Sequence, residues 1–463
     1  MMIFNLRVSR TQWAVGHGFF HSGIIESGGK PFVYVYDCGA KLANQRVGLL
    51  DQEIDEFGTR LRQNQIRNLP SWHLHYRSWC RPWPRDPHVD VMYISHFDYD
   101  HVSGIPSLAK QVQIDRFVIP MVPVSQRIFC LTSSLFPSIY HSGSGTSPND
   151  DENVGDIDEW YWDFIANPVT ALREITGNVA EVQQVEPAAG MTEEGGSDLN
   201  DPEREFILSN LDISSGYTPR ASDLSLSTAM NRRNIWNVVN ENEIPVWEFK
   251  THILKDAQNQ ATFFVQELKR MNLIKNEGDL ENAGTLKKLV LKHHNSGLKT
   301  AYENAVAQIG SSHTLNITSL MLYSGTVLGQ RIRCYRSKAT PYDRPEIGAW
   351  PNVAGWIGYG DVSLRAKKRL NEVIDAFEKQ RKRTYIIAPP HHGSPRDWSP
   401  KLLEGFGPNG NFVPTCVFGA DGSYNHPGHG VLLDVNSSGG TAIVVTSDPR
   451  SRWTDYLTVY IEA

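Results

Sequence analysis

The most constraining feature of this chain is a cluster of metal-binding side chains at the end of a strand. The apolar run Val89–Ser95 reads as a buried strand and closes in Ser95-His96-Phe97-Asp98-Tyr99-Asp100-His101. Two imidazoles and two carboxylates fall within six positions there, separated by aromatic spacers. A strand that ends in a turn can aim such groups into one cavity, where a divalent cation relieves the repulsion between the carboxylates. Mixed nitrogen and oxygen donors suit Zn²⁺ or Mn²⁺, and carboxylate-rich sets lean toward harder ions such as Mg²⁺. The competing reading is a solvated polar turn.

Composition narrows the classes. The chain has 463 residues, 40% of them hydrophobic and 21% charged, enough for a large core and unlike a disordered chain. Lys+Arg 45 against Asp+Glu 51 gives a net charge of −6, which excludes a uniformly basic nucleic-acid binder but not a local basic patch. The five cysteines, Cys38, Cys80, Cys130, Cys334 and Cys416, show no CxxC spacing, which argues against both a disulfide framework and a thiolate zinc site. No run of 18 apolar residues and no secretory leader is evident, so a soluble, cytoplasmic protein with no membrane contact is expected.

Strand and helix patterns alternate in two blocks, residues 1–128 and 312–463. In the first, Met2–Ser9, Phe20–Glu26 and Phe32–Tyr36 read as strands, with a helix from about Ala43 to Ile66. In the second, Ser319–Tyr323, Gly355–Gly360, Thr384–Ala388, Thr415–Gly419, Thr441–Thr446 and Tyr456–Ile461 read as strands, with a helix over Ser363–Arg383. Between the blocks, residues 129–311 read as a partly helical insertion, with helices near Ala257–Met271 and Leu286–Ile309. It also carries mobile segments, and Asp150–Asp163 holds seven acids and no base. The fold expected is α/β, two layers of sheet with helices outside.

Other polar groups sit at strand ends. Asp361 follows the strand Gly355–Gly360, where a carboxylate can bridge two cations about 3.5–4 Å apart. Its plainer role is to cap the helix that follows. His391 and His392 follow the strand Thr384–Ala388 and two prolines. Adjacent side chains do not easily reach one metal, so one is expected to ligate and the other to orient substrate or support the ligands from behind. His426, in Tyr-Asn-His-Pro, reads as ligand, general acid or surface histidine, and His17 lies in a glycine-flanked turn able to approach the site. His293 and His294 are expected on an exposed helix face, and His88 among the structural histidines.

Taken together, these residues resemble the metallo-β-lactamase fold superfamily, whose signature is His-x-His-x-Asp-His after a strand. Asp98 stands at the second His, and that variant is most similar to the soluble nuclease-type domain of bacterial competence (DNA-uptake) proteins. Val15-Gly16-His17-Gly18 resembles the opening Val-Gly-Gln-Gly of that subgroup, and Tyr36-Asp37-Cys38-Gly39 its Ile-Asp-x-Gly turn. Asn316-Ile317-Thr318-Ser319-Leu320 is similar to its Asn-x-x-Ser strand, and Gly358-Tyr359-Gly360-Asp361 to its Thr-Gly-Asp strand end. Pro390-His391-His392-Gly393-Ser394 resembles its His-His-Gly-Ser motif, and Gly419-Ala420-Asp421 through Tyr424-Asn425-His426-Pro427 its Gly-Ala-Asp…Tyr-Gly-His-Pro.

The resemblance covers about 1–125 and 312–463 and includes no channel segments. It implies an αββα four-layer sandwich, interrupted by the long, partly loop-like insertion, and a catalytic domain made of 1–128 with 312–463. It also implies two divalent cations held by His96, Asp98, Asp100, His101, Asp361 and His391, with His391 the ligand of the His-His pair. Asp100, His392 and His426 would act in catalysis, and His17 and Ser394 would meet the substrate. The middle histidine of the zinc hydrolases has no counterpart, which leaves the first metal to be completed by water or His426.

Arg60–Arg85 carries six arginines and no acid, interleaved with Trp72, Tyr76, Trp79 and Trp83. Guanidinium groups pair with phosphate while flat rings stack on splayed bases, so Arg77, Arg81 and Trp79 are expected to bind a single strand. The alternative is a packed Trp/Arg arm. Arg365–Arg383 adds eight bases against three acids.

The expected function is a metal-dependent phosphodiesterase acting on nucleic acid, a DNA nuclease in the first instance. A defence effector with an activating protein partner encoded nearby would fit, by association with the fold alone. Two other classes remain open from sequence: a hydrolase of a small cyclic nucleotide or lactone, and a non-catalytic metal-stabilised binding subunit.

Overall fold

The strand Phe32–Cys38 shows how the core is divided. Successive side chains of a strand point to opposite faces. Val33 and Val35 pack into one buried cluster with the helix residues Ile54 and Phe57. Phe32, Tyr34 and Tyr36 pack into a second cluster with Phe249 and Trp356. This strand is therefore covered on both faces, as its unbroken run of buried residues requires. The computed structural model describes residues 3–27, 31–41, 48–67, 87–135, 157–187, 225–226, 234–239, 245–255, 260–293, 297–309, 318–327, 331–338, 353–422 and 425–462.

In chain order the strands are β1 (Ile3–Gln12), β2 (Phe20–Glu26), β3 (Phe32–Cys38), β4 (His88–Val89), β5 (Val91–Tyr93), β6 (Gln113–Ile114), β7 (Arg116–Pro120) and β8 (Glu181–Val185). They continue with β9 (Ser225–Leu226), β10 (Ile235–Val239), β11 (Pro245–His252), β12 (Met321–Gly325), β13 (Arg331–Lys338) and β14 (Gly355–Gly358). The last are β15 (Thr384–Ala388), β16 (Thr415–Gly419), β17 (Ala442–Val445) and β18 (Trp453–Glu462).

Two eight-stranded mixed sheets form, ordered β13-β18-β1-β2-β3-β5-β7-β8 and β17-β16-β15-β14-β12-β11-β10-β9, beside a two-stranded pair β4-β6. In the first sheet β3, β5, β7 and β8 run parallel. In the second, β14 to β17 do. The sheets meet face to face through aromatic rings: Tyr34 lies 5.0 Å from Phe249, and Tyr36 lies 5.4 Å from Trp356. Such contacts bury the largest apolar surfaces in the chain.

Helices cover the other faces. Leu49–Arg67, Ile105–Gln111 and Glu159–Ala166 contribute Leu50, Ile54, Phe57, Leu108 and Phe164 to the first sheet's outer cluster. Lys367–Ala376 and His429–Ser437 contribute Leu370, Val373, Val431 and Val435 on the side of the second sheet. The architecture is mixed α/β.

The segment 129–311 is more deeply woven into this frame than an added loop. Its β8 pairs with β7, and its β11 pairs with β12, so it lengthens both sheets. Trp236 and Val238 alternate into the inter-sheet core, and that alternation decides the face. Within the stretch expected as a helix over Leu286–Ile309, the helices Ala283–His293 and Lys299–Ile309 form, and residues 294–296 between them lie outside the described residues. The helix expected over Ser363–Arg383 begins only at Lys367 and is interrupted at Phe377. Residues 150–156 of the acidic run lie outside the described residues.

Candidate metal centre

Five loops converge on one spot, each leaving the carboxyl end of a parallel strand: β3, β5, β14, β15 and β16. That end of a sheet is where α/β proteins place their ligands. Asp37 ends β3, the cluster 95–101 follows β5, Asp361 follows β14, His391 and His392 follow β15, and His426 follows β16. Two glycines let the loops approach. A Cβ on Gly39 would stand 2.6 Å from the backbone of Asp100 and His101. Gly360 has φ +56°, and a Cβ there would meet Ser319, Ser95 and Tyr36 at 3.0–3.2 Å.

Three histidines have their proton position dictated by what holds Nδ1. His101 Nδ1 lies 2.9 Å from Asp37 Oδ2, and a carboxylate only accepts, so Nδ1 carries a proton and Nε2 is the nitrogen turned to the site. His391 Nδ1 is held in the same way by Asp397 Oδ2 at 2.8 Å. Ser95 Oγ donates to Asp37 Oδ2 at 2.6 Å, so towards His96 Nδ1, at 2.8 Å, it must accept. His96 Nδ1 therefore carries a proton, and Nε2 is buried with no hydrogen-bond partner among the described residues. Carboxylate–histidine pairs of this kind orient metal ligands and raise their basicity.

These Nε2 atoms converge on Asp361, and its two oxygens divide them. Oδ2 faces His96 Nε2 at 3.7 Å and His391 Nε2 at 3.6 Å, with Asp98 Oδ2 3.6 Å from the same His96 nitrogen. Oδ1 faces His101 Nε2 at 3.3 Å and His392 Nε2 at 3.8 Å. Asp100 Oδ2 then lies 3.8 Å from both His392 Nε2 and His17 Nε2. Taking one donor atom from each residue, those of His96, His101 and Asp361 lie within 4.8 Å of one another, as do those of His17, Asp100 and His392.

The neighbours His391 and His392 reach different oxygens because both hold left-handed backbone, φ 47° and 53°. For non-glycine residues this costs on the order of 1–3 kcal/mol each and persists only where the surroundings impose it. Asp361 does not cap the following helix, since Ala366 occupies the N-cap position. Its backbone N–H instead donates to Ser319 Oγ at 3.1 Å.

The electrostatics ask for positive charge at this point. Burial pushes Asp361 up, but His391, His101, His392 and His96 outweigh it and hold the carboxyl well below its ordinary value. Burial disfavours charge on His101 too, yet Asp361 and Asp37 raise it well above the ordinary imidazole range. His391 is likewise raised to about 9, with Asp361 and Asp397 outweighing burial. His392 goes the other way, to about 4, because burial, with His101 and His391 nearby, outweighs Asp361 and Asp100. Burial and Lys41 hold His17 well below its ordinary value, so it too is neutral, the form that ligates a metal.

All six expected ligands, His96, Asp98, Asp100, His101, Asp361 and His391, lie in this one place. His17, expected to meet substrate, and His392, expected to act in catalysis, lie with Asp100 in a group that could hold an ion. The adjacent His391 and His392 both turn Nε2 to Asp361, the first to Oδ2 and the second to Oδ1. His426 is nearly buried, its ring 5.2 Å from that of His391 and 5.6 Å from that of His17. Ser394, read as substrate-binding, is buried, and its hydroxyl bonds Asp397 behind His391. Arg77, Trp79 and Arg81 lie outside the described residues.

Sequence reasoning missed the supporting carboxylates. Asp37 stands in a noted turn, but nothing local marks it as the partner of His101, 64 residues on. Asp397 has no motif at all.

The donor set fits divalent cations. Imidazole nitrogens with fixed tautomers face carboxylate oxygens across 3.3–3.8 Å, and the buried His96 Nε2 has a lone pair but no proton to meet it. No protein-family model matches the chain, and no curated protein matches it significantly.

Proposed function

We propose that this protein is a metal-dependent phosphodiesterase that acts on nucleic acid, with DNA as its substrate, and that its sheets and helices form the αββα sandwich of metallo-β-lactamase type. One observation carries the reading: Asp361 turns each of its oxygens to a separate pair of imidazole nitrogens, the arrangement of a carboxylate shared between two cations. Divalent cations held there supply charge neutralisation at the phosphoryl group and acidify water.

The chain's own residues set the rest. Asp37 and Asp397 keep the proton of His101 and His391 on Nδ1. Lys41, whose backbone N–H donates to the His17 carbonyl at 2.9 Å, brings positive charge to the same side as His17 and suits a polyanion. His426, whose ring lies 5.2 Å from that of the partly exposed His391, would protonate the leaving alkoxide as water adds to phosphorus and the P–O bond breaks, the proton of the water passing to solvent.

No helix among the described residues is long and apolar enough to cross a membrane. A cytoplasmic nuclease, serving as a defence effector with a partner that activates it, accords with this reading.

The test is direct. Purified protein cleaves plasmid, single-stranded DNA and bis(p-nitrophenyl) phosphate with Mn²⁺, Mg²⁺ or Zn²⁺, and EDTA stops it. Asp361→Asn lowers these rates by orders of magnitude and lowers metal content, with the fold retained by circular dichroism. Absence of bound metal, and of hydrolysis of any phosphodiester with any of these ions, overturns the proposal.

A further inference from the structure

At the opposite end of β5 a second set of donors converges. The short strands β4 and β6 run parallel in the register His88↔Gln113 and Val89↔Ile114. One step further, Asp90 and Asp115 come opposite each other, where both chains leave the small pair and enter the large sheet as β5 and β7. Each carboxylate has one oxygen tied down: Asp90 Oδ2 accepts from the Val33 N–H at 2.7 Å, and Asp115 Oδ1 accepts from Gln113 Nε2 at 2.9 Å. The other oxygens, Asp90 Oδ1 and Asp115 Oδ2, both lie 3.1 Å from His88 Nε2.

We propose that His88, Asp90 and Asp115 form a separate divalent-cation site of the zinc class. Two carboxylates brought together across a parallel ladder repel, and one imidazole between them offsets at most one of the two negative charges. Each oxygen lies 3.1 Å from the nitrogen and all three atoms lie within 4.8 Å of one another, a spacing open to neighbouring ligands around a cation whose bonds are about 2.0–2.2 Å long. Three protein ligands with a solvent-facing side, where Asp115 is 42% exposed, leave a position for water or an external group.

The site is distinct from the centre at Asp361. Asp90 is five residues before Ser95, roughly 17 Å along an extended strand. A cation there clips β4/β5 to β6/β7 and so braces the strand that carries the cluster 95–101. It requires nothing of the proposed phosphodiesterase activity. His88, read from sequence as structural, becomes a ligand because a parallel register brings in Asp115.

Metal content decides the matter. Protein carrying Asp361→Asn, His96→Gln and Asp100→Asn, which together disable both triads of the first centre, is dialysed against Zn²⁺ or Co²⁺ and its bound metal counted by atomic emission. One equivalent per chain is expected, and it is lost when His88→Gln or Asp115→Asn is added. In the otherwise unaltered chain, Asp115→Asn is expected to lose one equivalent while keeping its rate on bis(p-nitrophenyl) phosphate. A disabled-centre protein that binds no metal overturns the proposal. So does an equivalent that survives both substitutions, which would make the triad an imidazolium ion pair.

Discussion

Replacing Asp37 by Asn separates shape from charge at the first centre. The Asp37 carboxylate is fully buried and accepts from the Ser95 N–H at 2.6 Å, the Ser95 hydroxyl at 2.6 Å and His101 Nδ1 at 2.9 Å. Asparagine keeps the volume but replaces one acceptor oxygen by an NH₂ donor. If the NH₂ faces His101, the imidazole proton must move from Nδ1 to Nε2, where it blocks the nitrogen that faces Asp361. If the amide flips, the NH₂ meets the Ser95 N–H and one buried donor is left unsatisfied, at about 1–3 kcal/mol. Loss of such a supporting carboxylate lowers metal affinity by typically 10–100-fold. That is about 1.4–2.7 kcal/mol of binding. Zn²⁺ affinity, measured by competition with a chromogenic chelator for Asp37→Asn and parent protein, is expected to fall within that range. The circular dichroism spectrum should stay native. An affinity within threefold of the parent would refute the argument that Asp37 fixes the tautomer of His101.

Gly360→Ala adds a methyl at positive φ against Ser319, Ser95 and Tyr36, and should displace Asp361 and cost on the order of 1–3 kcal/mol in urea unfolding. Asp455 governs acid stability: burial pushes its carboxyl up, but Arg336 and Arg10 outweigh it and hold it below its ordinary value. The stabilisation from Asp455 is thus complete above the unfolded carboxylate pKa, about 3.9, and is lost as pH falls through the lower folded value. The urea midpoint of Asp455→Asn should therefore be lower than the parent's at pH 7, and the gap should narrow below about pH 4. Changing Arg77 and Arg81 together to Ala should flatten the log–log salt dependence of single-strand binding by about one to two units, and an unchanged slope would make that arm packing.

Sequence alone determined which side chains could do chemistry and that they lie at strand ends. Contiguity made His96, Asp98, Asp100 and His101 legible, because one strand and one turn deliver them whatever the rest of the chain does. Asp361 and His391 were legible for the same reason, each following an apolar strand. Tertiary structure decided which donor faces which. The pairing of Asp37 with His101 depends on β3 and β5 lying side by side, and Asp397 reaches His391 through a turn with no sequence signature. His391 and His392 serve different oxygens of Asp361 because consecutive residues hold left-handed φ, a conformation the local sequence disfavours and the packed surroundings impose. The strands of 129–311 joined the two sheets for a related reason: short alternating segments have no preferred partner until an open sheet edge offers one. The triad of His88, Asp90 and Asp115 exists only through the parallel register of β4 and β6, which joins residues 25 positions apart. Local propensity and polarity are properties of a few neighbouring residues, whereas ligand geometry is a relation between distant ones, and only the folded chain brings those together.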